Sequence, residues 1–192
     1  MFDVTAIGEL LIDMAQSGLS DIGSPIFEAN PGGAPCNVLA MLNKLGRRTA
    51  FIGKVGDDIF GQRLKNIVES TGTDIDGLVL DKDVRTTLAF VETDEHGDRS
   101  FSFYRAPGAD MMLREAEVDT DIIKHSRVLH FGTLSMTHEC VERATVKAVE
   151  TAKAAGALLS FDPNLRPPLW DSMDRARDKM SYGCSVSDTV KI

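Results

Sequence analysis

The stretch Pro31-Gly32-Gly33-Ala34-Pro35-Cys36-Asn37 stands between a β-like apolar run and a helical pattern, and its reading decides the fold. Two adjacent glycines ahead of a helix let the backbone approach a neighbour or a ligand closely. The free N–H groups of a first helical turn can then bond hydroxyls or anions. Asn37, one turn in, can present an amide to the same place. The pattern fits an ordinary loop-to-helix junction equally well. On its C-terminal side, Val38, Met41, Leu42 and Leu45 follow i, i+3, i+4, i+7 spacing, and Gly46 sits where a helix cap is expected. On its N-terminal side, Phe2 to Ile12 reads as one buried strand bent at Gly8, and Gln16 to Asn30 as a loop rich in Ser, Gly, Asp and Pro.

The alternation continues outward. Arg48 to Val55 reads as a strand, Gly56-Asp57-Asp58 as a turn, and Ile59 to Ser70 as a helix with Phe60, Leu64, Ile67 and Val68 on one side, ended by Gly72. Arg127 to Phe131 and Ala157 to Phe161 read as buried strands, separated by an alanine-rich helix from Thr137 to Ala155. Two segments break the rhythm. Thr86 to Thr93 and Arg99 to Arg105, joined by Asp94-Glu95-His96-Gly97-Asp98, pattern as an antiparallel hairpin. The expected class is α/β: a mainly parallel sheet flanked by helices, with a small separate β flap.

Composition narrows the function classes. The 192 residues are 43% hydrophobic and 26% charged, which excludes a disordered or collagen-like chain. A net charge of −8 argues against a nucleic-acid binder, which needs a basic face. Cys36, Cys140 and Cys184 are far apart and form no CxxC pair, so neither a disulfide framework nor a zinc knuckle is expected, and a reducing, cytoplasmic setting fits. Neither a signal peptide nor an 18-residue apolar run is found, so no membrane contact is expected. The histidines make no metal motif, and no Walker A, GxGxxG or GxSxG pattern occurs. The Phe and Met residues read as core.

Three further places carry polar groups where an open α/β sheet gathers its ligands, at strand carboxyl ends. Asp13 closes the first apolar run, with Glu9 just before it, and could accept hydrogen bonds from hydroxyls or cap a turn. Asp162-Pro163-Asn164-Leu165-Arg166 follows the Ala157 to Phe161 strand and offers acid, amide and guanidinium within five residues. It also fits a plain Asp-Pro turn with a surface arginine. Arg105 ends the hairpin beside Ala106-Pro107-Gly108-Ala109-Asp110, where a lone arginine also fits a solvated edge charge.

Taken together, these residues resemble the ribokinase-like (pfkB) carbohydrate kinases, and among them the bacterial fructokinases. The matching stretches are Ile7 to Asp13, Pro31 to Ala40, Phe51 to Gly61, Phe103-Tyr104-Arg105 with Gly108-Ala109-Asp110, and Phe161 to Arg166. The glycine pair followed by Gly56-Asp57-Asp58-Ile59-Phe60-Gly61 is specific to that family. The resemblance implies one incomplete α/β domain over residues 1–192, with a β lid made of segments near 11–33 and 86–108. It implies transfer of the γ-phosphoryl group of ATP, with Mg²⁺ and a monovalent cation as further cofactors, to a small-molecule sugar, most specifically the 6-hydroxyl of fructose. By the same resemblance, Asp13, Gly32, Gly33 and Asn37 hold sugar hydroxyls, Arg105 and Arg166 reach the sugar or the incoming phosphate, and Asn164 lies on the phosphate side. A homodimer through the lid is also implied. The alternatives are a 2-keto-3-deoxygluconate kinase, a non-catalytic sugar-binding fragment, and a generic α/β module without a sugar site.

One feature of the family pattern is missing. Its Gly-Ala-Gly-Asp motif, which carries the anion hole and the catalytic base, does not occur in these residues, so no catalytic residue is assigned. Asp188 to Ile192 reads as the start of a strand, and the 192 residues are expected to be the sugar-binding portion of a longer protein, with an open sheet edge. Proton acceptance and charge stabilisation each commonly supply about 10²–10⁴-fold in rate. The chain alone is therefore expected to show no kinase activity. ADP formation from purified chain, ATP, Mg²⁺ and fructose overturns this.

Overall fold

The computed structural model describes residues 1–93 and 99–191. Among these residues, ten strands form two sheets. The larger has six parallel strands: β1 (Phe2–Ile7), β4 (Thr49–Gly56), β5 (Asp74–Asp81), β8 (Ser126–Gly132), β9 (Leu158–Asp162) and β10 (Thr189–Val190), in the order β10-β9-β8-β1-β4-β5. The smaller has four: β2 (Leu11–Leu19), β3 (Pro25–Gly32), β6 (Leu88–Thr93) and β7 (Arg99–Tyr104), in the order β3-β2-β6-β7. The β2–β3 and β6–β7 pairs are antiparallel hairpins, and β2 joins β6 in parallel. The expected turn at Asp94 to Asp98 lies outside the described residues, as does Ile192.

Every residue of β4 is buried, because helices cover both faces of the large sheet. On one face Ala6, Phe51 and Val55 pack with Cys36 and Leu39 of α1 (Ala34–Lys44) and Leu64 and Val68 of α2 (Ile59–Ser70). On the other, Ile7, Ile52, Leu129, Phe131 and Phe161 pack against α3 (Thr120–Lys124), α4 (Glu139–Ala154) and α5 (Met173–Val186). Neighbouring residues of one strand, Ala6 and Ile7 or Phe51 and Ile52, serve opposite layers, as the period of two requires.

The helix starts follow local chemistry. The Asp58 carboxylate accepts from the backbone N–H of Phe60 and Gly61 at the head of α2, and also from Thr86, so it ties this helix to the entry of β6. Ser172 caps α5, and His138 caps α4 through Nδ1.

Four expectations are corrected. The run from Phe2 to Ile12 is two strands: β1 ends at Ile7, and after Gly8-Glu9-Leu10 the chain enters the other sheet as β2. A Cβ on Gly8 would press on Pro35 of α1, so glycine admits the helix at this break. The stretch Gln16 to Asn30 is a hairpin with a bulge between Gln16 and Gly18, not a loop. In α1 the buried residues are Pro35, Cys36 and Leu39, whereas Met41 and Leu45 of the expected stripe are 57% and 66% exposed. The junction at Gly33 and Pro35 sets the rotation of the helix, and residues 38–45 do not override it. Finally, Phe101 and Phe103 lie outside both core clusters.

Lys54 of β4 is buried at 2% exposure, with Nζ 2.8 Å from both Asp81 and Glu117 and donating to the Met112 carbonyl at 3.2 Å. Burial acts to lower the pKa of its ammonium, and the hydrogen bonds it donates to Asp81 and Glu117, with their charges, more than reverse this. Removing the cation leaves two carboxylates facing each other. Lys54→Ala is expected to cost about 3–5 kcal/mol in urea unfolding; a loss below about 1 kcal/mol refutes the role of this pair.

Candidate functional site

The chain leaves β1, builds β4 and β5 to one side, and returns to place β8 on the other side of β1. Strand order reverses between β1 and β8, and the carboxyl ends of strands around such a reversal leave a crevice. The small sheet stands over this crevice. Between them lies a cavity of about 410 Å³, within the usual range for small-molecule sites.

Each wall comes from a different element. Glu9 follows β1. Asp13 and Gln16 come from β2, Asn30 from β3, Gly33, Ala34 and Asn37 from the start of α1, Leu134 from the turn after β8, and Asn164 and Arg166 from the turn after β9. Val91 of β6 and Phe101 and Phe103 of β7 close it from the small sheet. Cross-strand register explains the last three: Asp13 pairs with Ala89 and Ala89 with Phe103, while Ala15 pairs with Val91 and Val91 with Phe101, so these rows face the same way. The opposite face carries Phe27, Phe90 and Tyr104, with ring centroids 5.3 and 5.2 Å apart.

Asp13 is half-buried, and its carboxylate accepts no hydrogen bond from the described residues. Burial raises its pKa, and the Arg166 guanidinium works against this. The Arg166 guanidinium lies 6.0 Å from the centre of the Phe101 ring and donates to its neighbour's carbonyl, that of Leu165, at 3.1 Å. Asn164 has φ of 31°, a conformation that asparagine tolerates better than most residues. Its turn is held by Thr133, whose hydroxyl donates to the Pro163 carbonyl.

Of the residues singled out in the sequence, Asp13, Gly33, Asn37, Asn164 and Arg166 line this one cavity. Gly32 stands behind it, where a Cβ would strike the Asp13 carboxylate. Arg105 is elsewhere. It is 7% exposed, pairs with Asp110 at 2.6 Å, and donates to the Thr137 hydroxyl and the Leu134 carbonyl at 2.9 and 3.1 Å. It is not a solvated edge charge and does not line this cavity; it lines a neighbouring hollow instead, together with Phe101, Phe103 and Thr137. It fastens the end of β7 to the segments after β8, because a buried guanidinium must satisfy its donors locally.

Sequence reading passed over Glu9 as a site residue and took Phe101 and Phe103 as core. A carboxylate directly after a buried strand, and two aromatics on one face of a hairpin beside the glycine pair, were the signals available. Among the described residues, no group of three or more His, Cys, Asp or Glu is placed to hold a metal.

Gly33 is the geometric hinge of the site. Its φ is 123°, and a Cβ would land on the Glu9 carbonyl oxygen. Gly33→Ala is expected to destabilise the fold by about 3 kcal/mol or more. Gly46→Ala, also at positive φ but with open space around it, is expected to cost about 1 kcal/mol. Equal losses in chemical denaturation refute the close-contact explanation.

The comparisons with known proteins agree with this architecture. The pfkB family carbohydrate kinase model matches residues 1–192. A probable chloroplastic fructokinase-6 of Arabidopsis thaliana is 46% identical over 191 residues, covering 98% of this chain and 50% of that protein. The crystal structure of a fructokinase from Xylella fastidiosa superimposes with a TM-score of 0.92 at 36% identity, over 99% of this chain and 59% of that one; it has also been crystallised with bound ATP. A putative ribokinase II from E. coli, in complex with ATP and Mg²⁺, gives 0.88 at 30% identity, over 99% of this chain and 61% of that one. The chain thus spans about half the length of the curated relatives it matches. A family match along the whole chain, on a ribokinase-like parallel sheet, establishes that the protein belongs to the pfkB family of carbohydrate kinases.

Proposed function

We propose that this chain is the sugar-binding portion of a fructokinase-type enzyme that moves the γ-phosphoryl group of ATP to a fructose hydroxyl, most specifically the 6-hydroxyl. The observation that carries the proposal is the convergence of Asp13, Gly33, Asn37, Asn164 and Arg166 on one cavity. A polyol needs many hydrogen-bond partners of both kinds. Asp13 offers two acceptor oxygens, Asn37 and Asn164 offer donor and acceptor, and Arg166 offers donors. Phe101 and Phe103 supply apolar surface for the C–H face of a sugar ring. Gly32 and Gly33 keep the backbone low, so that hydroxyls reach the start of α1.

The small sheet serves as the lid in this reading, formed by segments near 11–33 and 86–108. Its job is to exclude water from the sugar. Arg105 acts on the lid from below: its ion pair with Asp110 and bond to Thr137 hold the end of β7 in place. ATP supplies the phosphoryl group when bound, with Mg²⁺. Asn164 and Arg166 lie on the wall where an anionic group would need donors. The Xylella fastidiosa fructokinase with bound ATP supports ATP as the donor. Proton removal from the hydroxyl needs a base that these residues do not provide. The Gly-Ala-Gly-Asp motif is absent from them, so this chain binds sugar without turning it over. A cytoplasmic setting and dimerisation through the lid belong to the same reading.

Fructose is expected to raise the melting temperature of the chain by about 3 °C at saturating concentration. Asp13→Asn is expected to weaken that binding about 10-fold or more, since it replaces hydrogen bonds to a charged acceptor. Binding by wild type is also expected to weaken on acidification, because protonation removes the Asp13 acceptor. The raised pKa moves this loss to a higher pH than for an exposed aspartate. No stabilisation by fructose or by any sugar of a panel that includes 2-keto-3-deoxygluconate refutes the sugar site.

A further inference from the structure

Glu9 occupies an unusual place. It follows β1 with only Gly8 between and is 4% exposed, yet it has no hydrogen-bonded cation among the described residues. Its carboxylate Oε1 accepts from the Ala34 backbone N–H at 2.9 Å, across 25 positions of sequence. Ala34 opens α1, and its N-cap residue Gly33 has no side chain to do this work. The Glu9 backbone acts on the same junction, since its carbonyl abuts the face of Gly33 where a Cβ would lie. One residue therefore holds both the glycine hinge and the first amide of the helix that carries Asn37. It lines the cavity described above on one side and a second, water-sized space on the other, shared with His130 and Asp162.

We infer that Glu9 is the positioning residue of the sugar site: its carboxylate supplies the missing helix cap of α1 and, in its ionised form, fixes the Gly33–Asn37 wall against which a sugar is held. This deepens the sugar-site reading above and rests on it.

The electrostatics support a role that depends on protonation. Burial pushes the Glu9 carboxyl up to about 7. Its bonds from its own backbone N–H and from Ala34 pull down, Asp110 pushes up and Arg105 pulls down. The groups around it are Cys36 from α1, whose thiol is raised by burial and by Glu9 itself; His130 of β8, lowered by burial; Asp162 at the end of β9; and Asp13 and Arg166 across the cavity. An ionised carboxylate bonds an N–H more strongly than a neutral one and faces the positive end of α1. Sugar affinity should therefore rise as pH rises through neutrality. Fold stability should move the other way. A carboxyl whose folded pKa lies above its unfolded value binds its proton more tightly in the folded state. Its contribution is complete at low pH and is lost as pH climbs from the unfolded pKa through the folded one.

These opposed slopes distinguish positioning from simple structural support. The test uses the 192-residue chain, its Glu9→Gln variant, which keeps the shape, and Glu9→Ala. From pH 6 to pH 8, wild type is expected to gain about 5-fold in fructose affinity while its melting temperature falls relative to Glu9→Gln, and the Ala34 amide resonance is expected to titrate near neutrality. Glu9→Gln is expected to lose the neutral step in all three, keeping only the acidic step of Asp13, and to melt about 5 °C above wild type at pH 8. Glu9→Ala, if folded, is expected to bind fructose about 10-fold more weakly than Glu9→Gln. An Ala34 amide that does not titrate in wild type, or a neutral step that survives in Glu9→Gln, overturns the inference. If wild type binds no fructose at any pH, the sugar-site reading fails, and the Ala34 titration still decides whether Glu9 caps α1.

Discussion

The structure depends on how closely α1 approaches the end of β1. Gly33 takes a φ of 123° with its bare face against the Glu9 carbonyl, and Gly8 leaves room for Pro35. Side chains at either position would push the helix away from the strand. The approach fixes three things together. It sets the rotation of α1, so that Cys36 and Leu39 face the sheet. It places Asn37 on the cavity side. It also brings the Ala34 amide within reach of a carboxylate that the strand delivers. A steric allowance of two hydrogen atoms thus becomes the geometry of a cavity wall.

The second sheet is held by polar groups as well as by the apolar packing of Ile12, Met14, Ala29 and Leu88. Arg105 and Asp110 form a buried pair whose remaining bonds go to Thr87, Thr137 and the Leu134 carbonyl, which joins the strand ends of the small sheet to the turn after β8. Asp58 adds a second tie at the same end, through Thr86 at the entry of β6. Buried ionic groups of this kind contribute little net stability against an apolar alternative, but they tolerate few arrangements. They fix where the small sheet stands over the crevice. The rows of Asp13, Ala15, Val91, Phe101 and Phe103 then meet the walls contributed by α1 and by the turn after β9.

Much of the scaffold was legible because it rests on local, periodic signals. The β-α-β alternation, Asp58 and Gly72 bounding α2, and the turn at Asp162 to Arg166 all follow from spacing and turn chemistry. Where the reading failed, a distant partner had decided the outcome. Gln16 to Asn30 looks like a loop because its residues are polar and glycine-rich, yet it belongs to the β2–β3 hairpin, whose strand β2 is held against β6 through Ile12 to Ala15. Val38, Met41, Leu42 and Leu45 form a regular stripe, but the side that is buried is set at Gly33 and Pro35. Arg105 reads as an edge charge because nothing nearby in sequence shows that Thr137 and Leu134 will fold over it.

What the sequence determined by itself is the class of fold and the inventory of the site: a parallel sheet with helices on both faces, a hairpin apart from it, and a glycine pair with Asp13, Asn37, Asn164 and Arg166 at strand ends. Periodicity and turn chemistry are properties of short segments, so they survive without knowledge of the whole. Only the tertiary structure decided which of these residues share a cavity, that Arg105 is fastened below it, and that Glu9 replaces a cap the helix lacks. Those outcomes turn on contacts between residues tens of positions apart, where burial and close approach select one arrangement from many that the local pattern allows.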